Sequence, residues 1–458
     1  MNLPLDDAIA ATGATLLNAE RAPSTLRIST DTRALERGDT FLALRGERHD
    51  GHDFAAGAVS HGAQMLIVDR AAAPIEGVAT MVVDDTLRAY MALASLARER
   101  FTGRVLAITG SAGKTTCKAF AAQLLTVRYG GRIASAPANE NNEIGVSKLL
   151  LAASNERHDA IVVEMGARHV GDIAALVAIA RPHVGILTNV GDAHLEIAGS
   201  RERVADMKWA LFERGARAVL NARDAVSLAR APTLAEAPHW FAAAGTDDAN
   251  GSGYERITAL FARSRLIDVA GGRRIFDQRV RVAVPGEHNA SNLVAAVAGA
   301  IELGADIASM SAMLPHLQLP PGRYESIAMP GGWRLIYDAY NASPDGMIAA
   351  LDALAGEGAQ RAIAVLGSMA ELGTESVALH ERVGAHAALR AGVVVVAGEY
   401  ADALARAAGR EGSAEVVRVT NNHDAAQWLR KNARQGDAVL LKGARKYHME
   451  DVLVELRA

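Results

Sequence analysis

The chain is poor in cysteine, in aromatics and in long apolar runs. Cys117 is the only cysteine among 458 residues. An internal disulfide is therefore excluded, which suits a reducing compartment and predicts a cytoplasmic protein. Aromatic residues are only 4% of the chain while half of it is hydrophobic. Ala, Val, Leu and Gly carry the apolar load, as packed α/β layers require. No apolar stretch reaches the roughly 18 residues of a membrane span. Charge of one sign is also missing: 48 basic residues stand against 52 acidic ones, for a net charge of −4. Without a basic tract, a nucleic-acid partner is not expected. Residues 1–7 lack the basic-then-apolar layout of a secretory leader, so none is expected. Low-complexity tracts and short-period repeats are absent as well.

What is present begins with one segment, Ile108-Thr109-Gly110-Ser111-Ala112-Gly113-Lys114-Thr115-Thr116. An apolar run at 105–108 reads as a buried strand before it, and 117–125 reads as a helix after it. Strand, Gly-rich turn, Lys-Thr and helix is the order that holds a nucleotide polyphosphate. Glycines let backbone N–H groups approach phosphate, and a helix N-terminus favours negative charge. Lys114 would reach the β/γ-phosphates, and the Thr115 hydroxyl would ligate Mg²⁺. Ile108 stands where the longer phosphate-loop pattern has Gly, so the match is to a shorter G-x-x-G-K-T loop. The bland alternative is an ordinary Gly-rich βα turn.

A chain of this length suggests about three domains at roughly 150 residues each. Residues 1 to about 100 read as a small α/β unit with strands near 40–44, 65–68 and 81–83. Strands near 105–108, 160–163, 184–188 and 218–220 then alternate with helices near 171–180 and 201–212. That alternation predicts a parallel sheet. The regularity weakens after about Asp224, through the Gly/Ser/Asp-rich 244–253. Leu319-Pro320-Pro321-Gly322-Arg323 reads as a linker. A second α/β series follows, with strands near 334–337, 362–366, 393–396 and 438–441. Polar or Gly-rich clusters follow each strand, where open parallel sheets bind ligands. The expected domains are 1–100, 101–322 and 323–458.

Several single residues stand out. Glu164 ends an apolar strand and is placed to hold Mg²⁺, or is a solvated strand-end acid. His194 lies just beyond another strand, as a metal ligand or a structural imidazole. Lys208 shares the apolar stripe of Val204, Leu211 and Phe212. It either snorkels to water or is buried, with its pKa lowered by desolvation. A neutral amine there can add CO₂ and become a carbamate. Asn139, Asn141 and Asn142, with Glu140 and Glu143, form a polar cluster before an apolar helix. It is plain turn chemistry or a substrate contact. Lys442-Gly443-Ala444-Arg445-Lys446 is an anion site or a solvated basic turn.

Taken in order, the short loop, Glu164, His194, Gly286-x-His288-Asn289-x-x-Asn292 and Pro321-Gly322-Arg323 resemble the Mur ligase family over essentially the whole chain. The resemblance implies three domains: an N-terminal α/β nucleotide-sugar-binding domain, a central phosphate-loop ATPase domain and a C-terminal Rossmann-like domain. It implies ATP-driven amide formation through an acyl phosphate. Within the family, four segments resemble the member that adds D-alanyl-D-alanine to UDP-N-acetylmuramoyl-tripeptide. They are Asp31-Thr32-Arg33 with the block through Arg45-Gly46 to Phe54, Asn139 to Val146, Asp338 to Pro344, and Leu366 to Gly373. Another amide ligase of the family, with different carboxylate and amine substrates, is the alternative.

At matching positions the resemblance implies site roles. Gly110, Ser111, Ala112, Gly113, Lys114, Thr115 and Thr116 would bind ATP, with Asn289, Arg323 and Asp338 on the nucleotide. Thr115, Glu164, His194 and Lys208 would serve Mg²⁺, two ions being expected, with Lys208 as the family's carbamylated lysine. Lys114, Lys208 and His194 would be catalytic. Asp31, Thr32, Arg33, Arg45, Gly46, Asn141, Asn142 and Asn341 would meet the substrates. A monomer is expected. Departures from the family pattern are Thr32 for Ser, Ser147 for Pro, Ser368 for Asp, Ala444 for Ser, and Trp209-Ala210 for Gly-Glu.

Overall fold

The computed structural model describes residues 1–46, 49–69, 75–137, 139–191, 195–242, 256–262, 265–270, 273–279 and 284–458, with the backbone alone at 195 and in the three segments between 256 and 279. His194 and the segment 244–253 lie outside the described residues, as do Glu47 and Arg48. Two compact units make up the chain. One holds Met1–Ala107, Tyr129–Gly166 and Asp172–His183; the other holds Ile108–Arg128, Ala167–Gly171 and Val184–Ala458.

In the first unit, Ile28–Ser29, Thr40–Leu42, Met65–Asp69 and Ala79–Val83 pair in parallel, and Thr15–Leu17 adds an antiparallel edge. Phe41, Leu66 and Val68 pack one face of this sheet against Ala55 and Ala58. The strand expected over 40–44 stops at Leu42. Beyond it the chain turns, with the Gly46 N–H donating to the His49 carbonyl and the Gly51 N–H to that of Leu44. Ile133–Ser135 and Ala160–Glu164 form a further parallel pair. The helix Glu143–Ala152 starts where Asn142 accepts from the Gly145 N–H, an N-cap that satisfies one orphan donor of the first turn.

The second unit contains two sheets. In one, Val184–Leu187, Arg217–Asn221, His239–Ala242 and Arg256–Ala262 run parallel, and Arg265–Ala270 and Arg273–Arg279 extend it as antiparallel strands. The other has the order Glu325–Met329, Trp333–Tyr337, Asp437–Lys442, Arg361–Leu366, Val393–Val396 and Glu415–Arg418. All its neighbours are parallel except the first pair. Val393–Val396 is buried at every residue. An uninterrupted β-branched run of that kind marks a strand covered on both faces. Alternation along the strands sorts the core accordingly. Leu366, Val394, Val396 and Leu440 join one cluster, and Val365, Val393, Val395 and Leu441 join the other.

The fold is α/β with mostly parallel sheets, as the strand–helix alternation predicts. The edge strands Glu325–Met329 and Glu415–Arg418 were not expected from sequence. Both are half exposed, so they lack the apolar run that reveals a buried strand. Among the described residues, no helix is long and apolar enough to cross a membrane.

Candidate active site

The second unit carries the phosphate loop. The strand Arg104–Thr109 leads into it, and the helix Lys114–Leu124 leaves it. That helix begins three residues earlier than its apolar pattern suggests, because Gly113 (φ +80°) supplies a left-handed N-cap. Gly110 is required for another reason: a Cβ there would lie 1.9 Å from Thr188 Oγ1. The loop is held from outside. Thr188 Oγ1 donates to the Ala112 carbonyl at 2.7 Å. Asn189 accepts from the Ala112 N–H at 3.0 Å through its side chain and from the Ser111 N–H at 2.9 Å through its carbonyl. The Gly191 N–H donates to Ser111 Oγ at 2.9 Å. The N–H groups of Ser111 and Ala112 are thus committed to Asn189. The donors that suit a phosphate are those of the first helical turn, which no helical carbonyl accepts.

Lys114 Nζ donates to the Gly110 carbonyl at 2.7 Å, so its ammonium lies folded over the loop. The Thr115 hydroxyl receives Arg323 Nη2 at 3.3 Å. Thr116 and Asn289 are buried. Asn289 Nδ2 donates to the Pro285 carbonyl at the start of the helix Glu287–Glu302. One turn on, Asn292 Oδ1 sits 2.0 Å from where a Cβ on Gly113 would be. Thr188, Asn189 and Asn292 therefore shape the loop, and sequence reasoning gave none of them a role. Asn292 stood in a quoted motif and Thr188 at the end of an expected strand, but their roles needed contacts across more than 70 residues.

Lys208 sits in the helix Arg201–Trp209, which Ser200 caps. It is only 3% exposed and does not snorkel. Burial, reinforced by the nearby Lys114 charge, lowers its pKa to about 7. Such an amine is substantially neutral near neutral pH. The helix gives way at Ala210–Phe212 to a 3₁₀ turn, ending earlier than the expected 212.

Asp338 follows the strand Trp333–Tyr337. Its carboxylate receives Lys442 Nζ at 2.7 Å and the Tyr324 N–H at 3.2 Å. Lys442 also donates to the carbonyls of Asp338 and Asn341. Lys442 is buried, while Arg445 and Lys446 in the turn after it are exposed, so the solvated-turn reading does not describe Lys442 itself. Asn341 itself is exposed.

The first unit carries the other candidates. Arg33 donates to Asp31 from its backbone and from its guanidinium at 2.7–3.0 Å. Those bonds hold the Asp31 pKa down at about 2. Thr32 lies between them, half-buried. Arg45 pairs with Asp69 at 2.8 Å. His52 Nδ1 meets Asp50 at 2.6 Å while its Nε2 accepts from the Asp69 N–H. Glu164 is buried at the end of Ala160–Glu164 and receives Asn141 Nδ2 at 2.8 Å. Asn142 is occupied as a helix cap. Among the described residues no three His, Cys, Asp or Glu side chains gather as a ready metal site. The Thr115 hydroxyl and the Glu164 carboxylate are each oxygen donors of the kind Mg²⁺ takes.

Comparison with known proteins places the chain in a family. Residues 27–100 match the model of the Mur ligase family, catalytic domain; 108–300 match the Mur ligase middle domain; 322–445 match the Mur ligase, glutamate ligase domain. The UDP-N-acetylmuramoyl-tripeptide–D-alanyl-D-alanine ligase of Synechocystis sp. is 35% identical, covering 94% of this chain and 92% of its own. Its namesake from Escherichia coli is 34% identical, covering 94% and 93%. A crystal structure of MurF from Acinetobacter baumannii superposes with a TM-score of 0.84 at 29% identity, covering 100% of this chain and 99% of its own. MurF ligase from Thermotoga maritima in complex with ADP superposes with a TM-score of 0.79 at 27% identity, covering 94% and 99%. The chain belongs to the Mur ligase family.

Proposed function

We propose that this chain uses ATP to join D-alanyl-D-alanine to UDP-N-acetylmuramoyl-tripeptide, a step of peptidoglycan precursor synthesis. The observation that carries the chemistry is the gathering of Lys114, Arg323 and the buried Lys208 around one braced phosphate loop. The near-full-length likeness to ligases of that name carries the substrate pair.

The substrate carboxylate is a poor electrophile. One of its oxygens attacks the γ-phosphorus of ATP, ADP leaves, and an acyl phosphate results. The dipeptide amine then attacks the acyl carbon, phosphate leaves, and the amide remains. Lys114 swings from the Gly110 carbonyl to the transferring phosphoryl group and offsets its charge. First-turn N–H groups from residues 113–116 cradle the phosphates, and Arg323 adds a second cation. Asn289 and Asp338 complete the nucleotide contacts. Mg²⁺, when bound, neutralises phosphate charge and orients the γ-phosphoryl group. Thr115, Glu164, His194 and Lys208 are the residues assigned to it. For Lys208 the donor forms when its neutral amine adds CO₂ and releases a proton, giving a carbamate. Asp31, Thr32, Arg33, Arg45 and Gly46 are assigned to the uridine nucleotide. Asn141, Asn142 and Asn341 are assigned to the peptide substrates. The domains are taken as 1–100, 101–322 and 323–458, and the protein as a cytoplasmic monomer.

Phosphate release tests the assignment. Purified protein with ATP, Mg²⁺, UDP-N-acetylmuramoyl-tripeptide and D-alanyl-D-alanine should release phosphate, and omitting either substrate should stop it. Release driven by a different amine, but not by the dipeptide, would make this another amide ligase of the family.

A further inference from the structure

Tyr340 has no role in the scheme above, yet two arginines converge on it. The guanidinium carbon of Arg323 lies 4.3 Å from the centre of its ring. That of Arg445 lies 5.3 Å away, and Arg445 Nη1 donates to the Tyr340 hydroxyl at 3.3 Å. The three residues come from separate places: the linker before Glu325–Met329, the turn after Trp333–Tyr337, and the turn after Asp437–Lys442.

Arg323 is held at its backbone too. Tyr324, the next residue, adopts φ +54°, a left-handed conformation unusual for a bulky side chain. Its N–H is tied to Asp338, which Lys442 holds in turn. From this fixed base the Arg323 side chain runs along the Tyr340 ring to Thr115. Its Nε is buried with no hydrogen-bond partner. A donor left in that state points to a ligand that completes it. A flexible arginine loses rotamer freedom when it binds, and an aromatic platform that fixes it beforehand removes part of that loss.

We infer that Tyr340 is a positioning residue: its ring aims the Arg323 guanidinium at the phosphate end of the nucleotide, with Arg445 steadying the ring through its hydroxyl. The inference rests on the reading of residues 110–116 as a triphosphate cradle. It predicts that Tyr340 acts through Arg323 and not on the nucleotide itself.

The test is a double-mutant cycle on the full chain, read by calorimetric binding of the β,γ-imido analogue of ATP with Mg²⁺. Tyr340→Leu should weaken binding roughly tenfold, and Tyr340→Phe, which keeps the ring, by no more than about twofold. In an Arg323→Ala background, Tyr340→Leu should cause no further loss. Replacing Tyr340 with pentafluorophenylalanine keeps the shape of Phe but reverses the ring's charge distribution. It should reproduce the Tyr340→Leu loss even if the leucine variant fails to fold. Full loss persisting without Arg323, or no loss from the fluorinated ring, would overturn the inference. A parent chain that binds no analogue would overturn both it and the cradle reading; a parent that binds while the cycle shows no coupling would overturn the inference alone.

Discussion

The phosphate loop and the N-terminal polar block are satisfied in opposite ways. Ser111 and Ala112 are bonded by Thr188, Asn189 and Gly191, more than 70 residues downstream. Arg33 is bonded to Asp31 and His52 to Asp50, two residues upstream in each case, and Arg45 and His52 reach no farther than Asp69. Long-range bracing fixes a loop before any ligand arrives, and pre-organised donors act without reorganisation at the moment of reaction. Local pairing only occupies side chains. Arg33 is largely exposed and exchanges its partner for a ligand at small cost, because an exposed ion pair contributes little. The bracing suits the chemistry proposed for the first region, and the local pairing suits the recognition proposed for the second.

The comparison can be broken most sharply at Lys114. Lys114→Ala should lower the rate of phosphate release by about 10³-fold or more, as loss of a charge-stabilising donor does elsewhere, with the fold intact by circular dichroism. An unchanged rate would remove the loop from the mechanism. Lys208→Met should abolish ligation comparably, while short carboxylates added to Lys208→Ala should restore part of it.

Lys208 also makes a pH prediction. Its folded pKa of about 7 lies below the ordinary 10.5. Between those values the unfolded chain binds more protons than the folded one, so this group's contribution makes stability rise with pH. Below pH 7 both states are protonated and the full cost of burying the ammonium is present. In bicarbonate-free buffer, Lys208→Met should therefore exceed the parent in Tm most below pH 7, and the gap should shrink as pH climbs towards 10. A gap independent of pH would mean that the amine is not buried in this way.

Smaller effects sharpen the contrast between bracing and local pairing. Thr188→Val keeps shape but leaves the Ala112 carbonyl short of one donor. It should weaken ATP binding about tenfold, the scale of one buried hydrogen bond. Arg33→Ala should raise KM for the UDP-linked substrate, leave that for ATP alone, and leave Tm unchanged within error. A matching rise for both substrates would contradict the division between the two regions.

Local signals in the sequence were readable where one element sufficed. The phosphate loop and the parallel strands follow from patterns within about ten residues, and the place of Lys208 on an apolar stripe was visible too, while its burial, against snorkelling, was settled only by the fold. What escaped depended on distant contacts. Lys442 looked like part of a basic turn, and only a partner 104 residues away explains its burial. Asp338 is expected at the nucleotide; its carboxylate holds the Tyr324 N–H and Lys442, and Lys442 in turn donates to the Asn341 carbonyl. Asn292 stood in a quoted motif without a role until its contact with Gly113 supplied one. The start of the helix at Lys114 was set by the φ of Gly113 and not by apolar periodicity.

Oxygen-18 transfer tests the central claim most directly. UDP-N-acetylmuramoyl-tripeptide labelled in its reacting carboxylate is incubated with the protein, ATP, Mg²⁺ and D-alanyl-D-alanine, and the released phosphate is analysed by mass spectrometry. If an acyl phosphate forms, one labelled oxygen passes into each phosphate released. Amide product accompanied by unlabelled phosphate would contradict it.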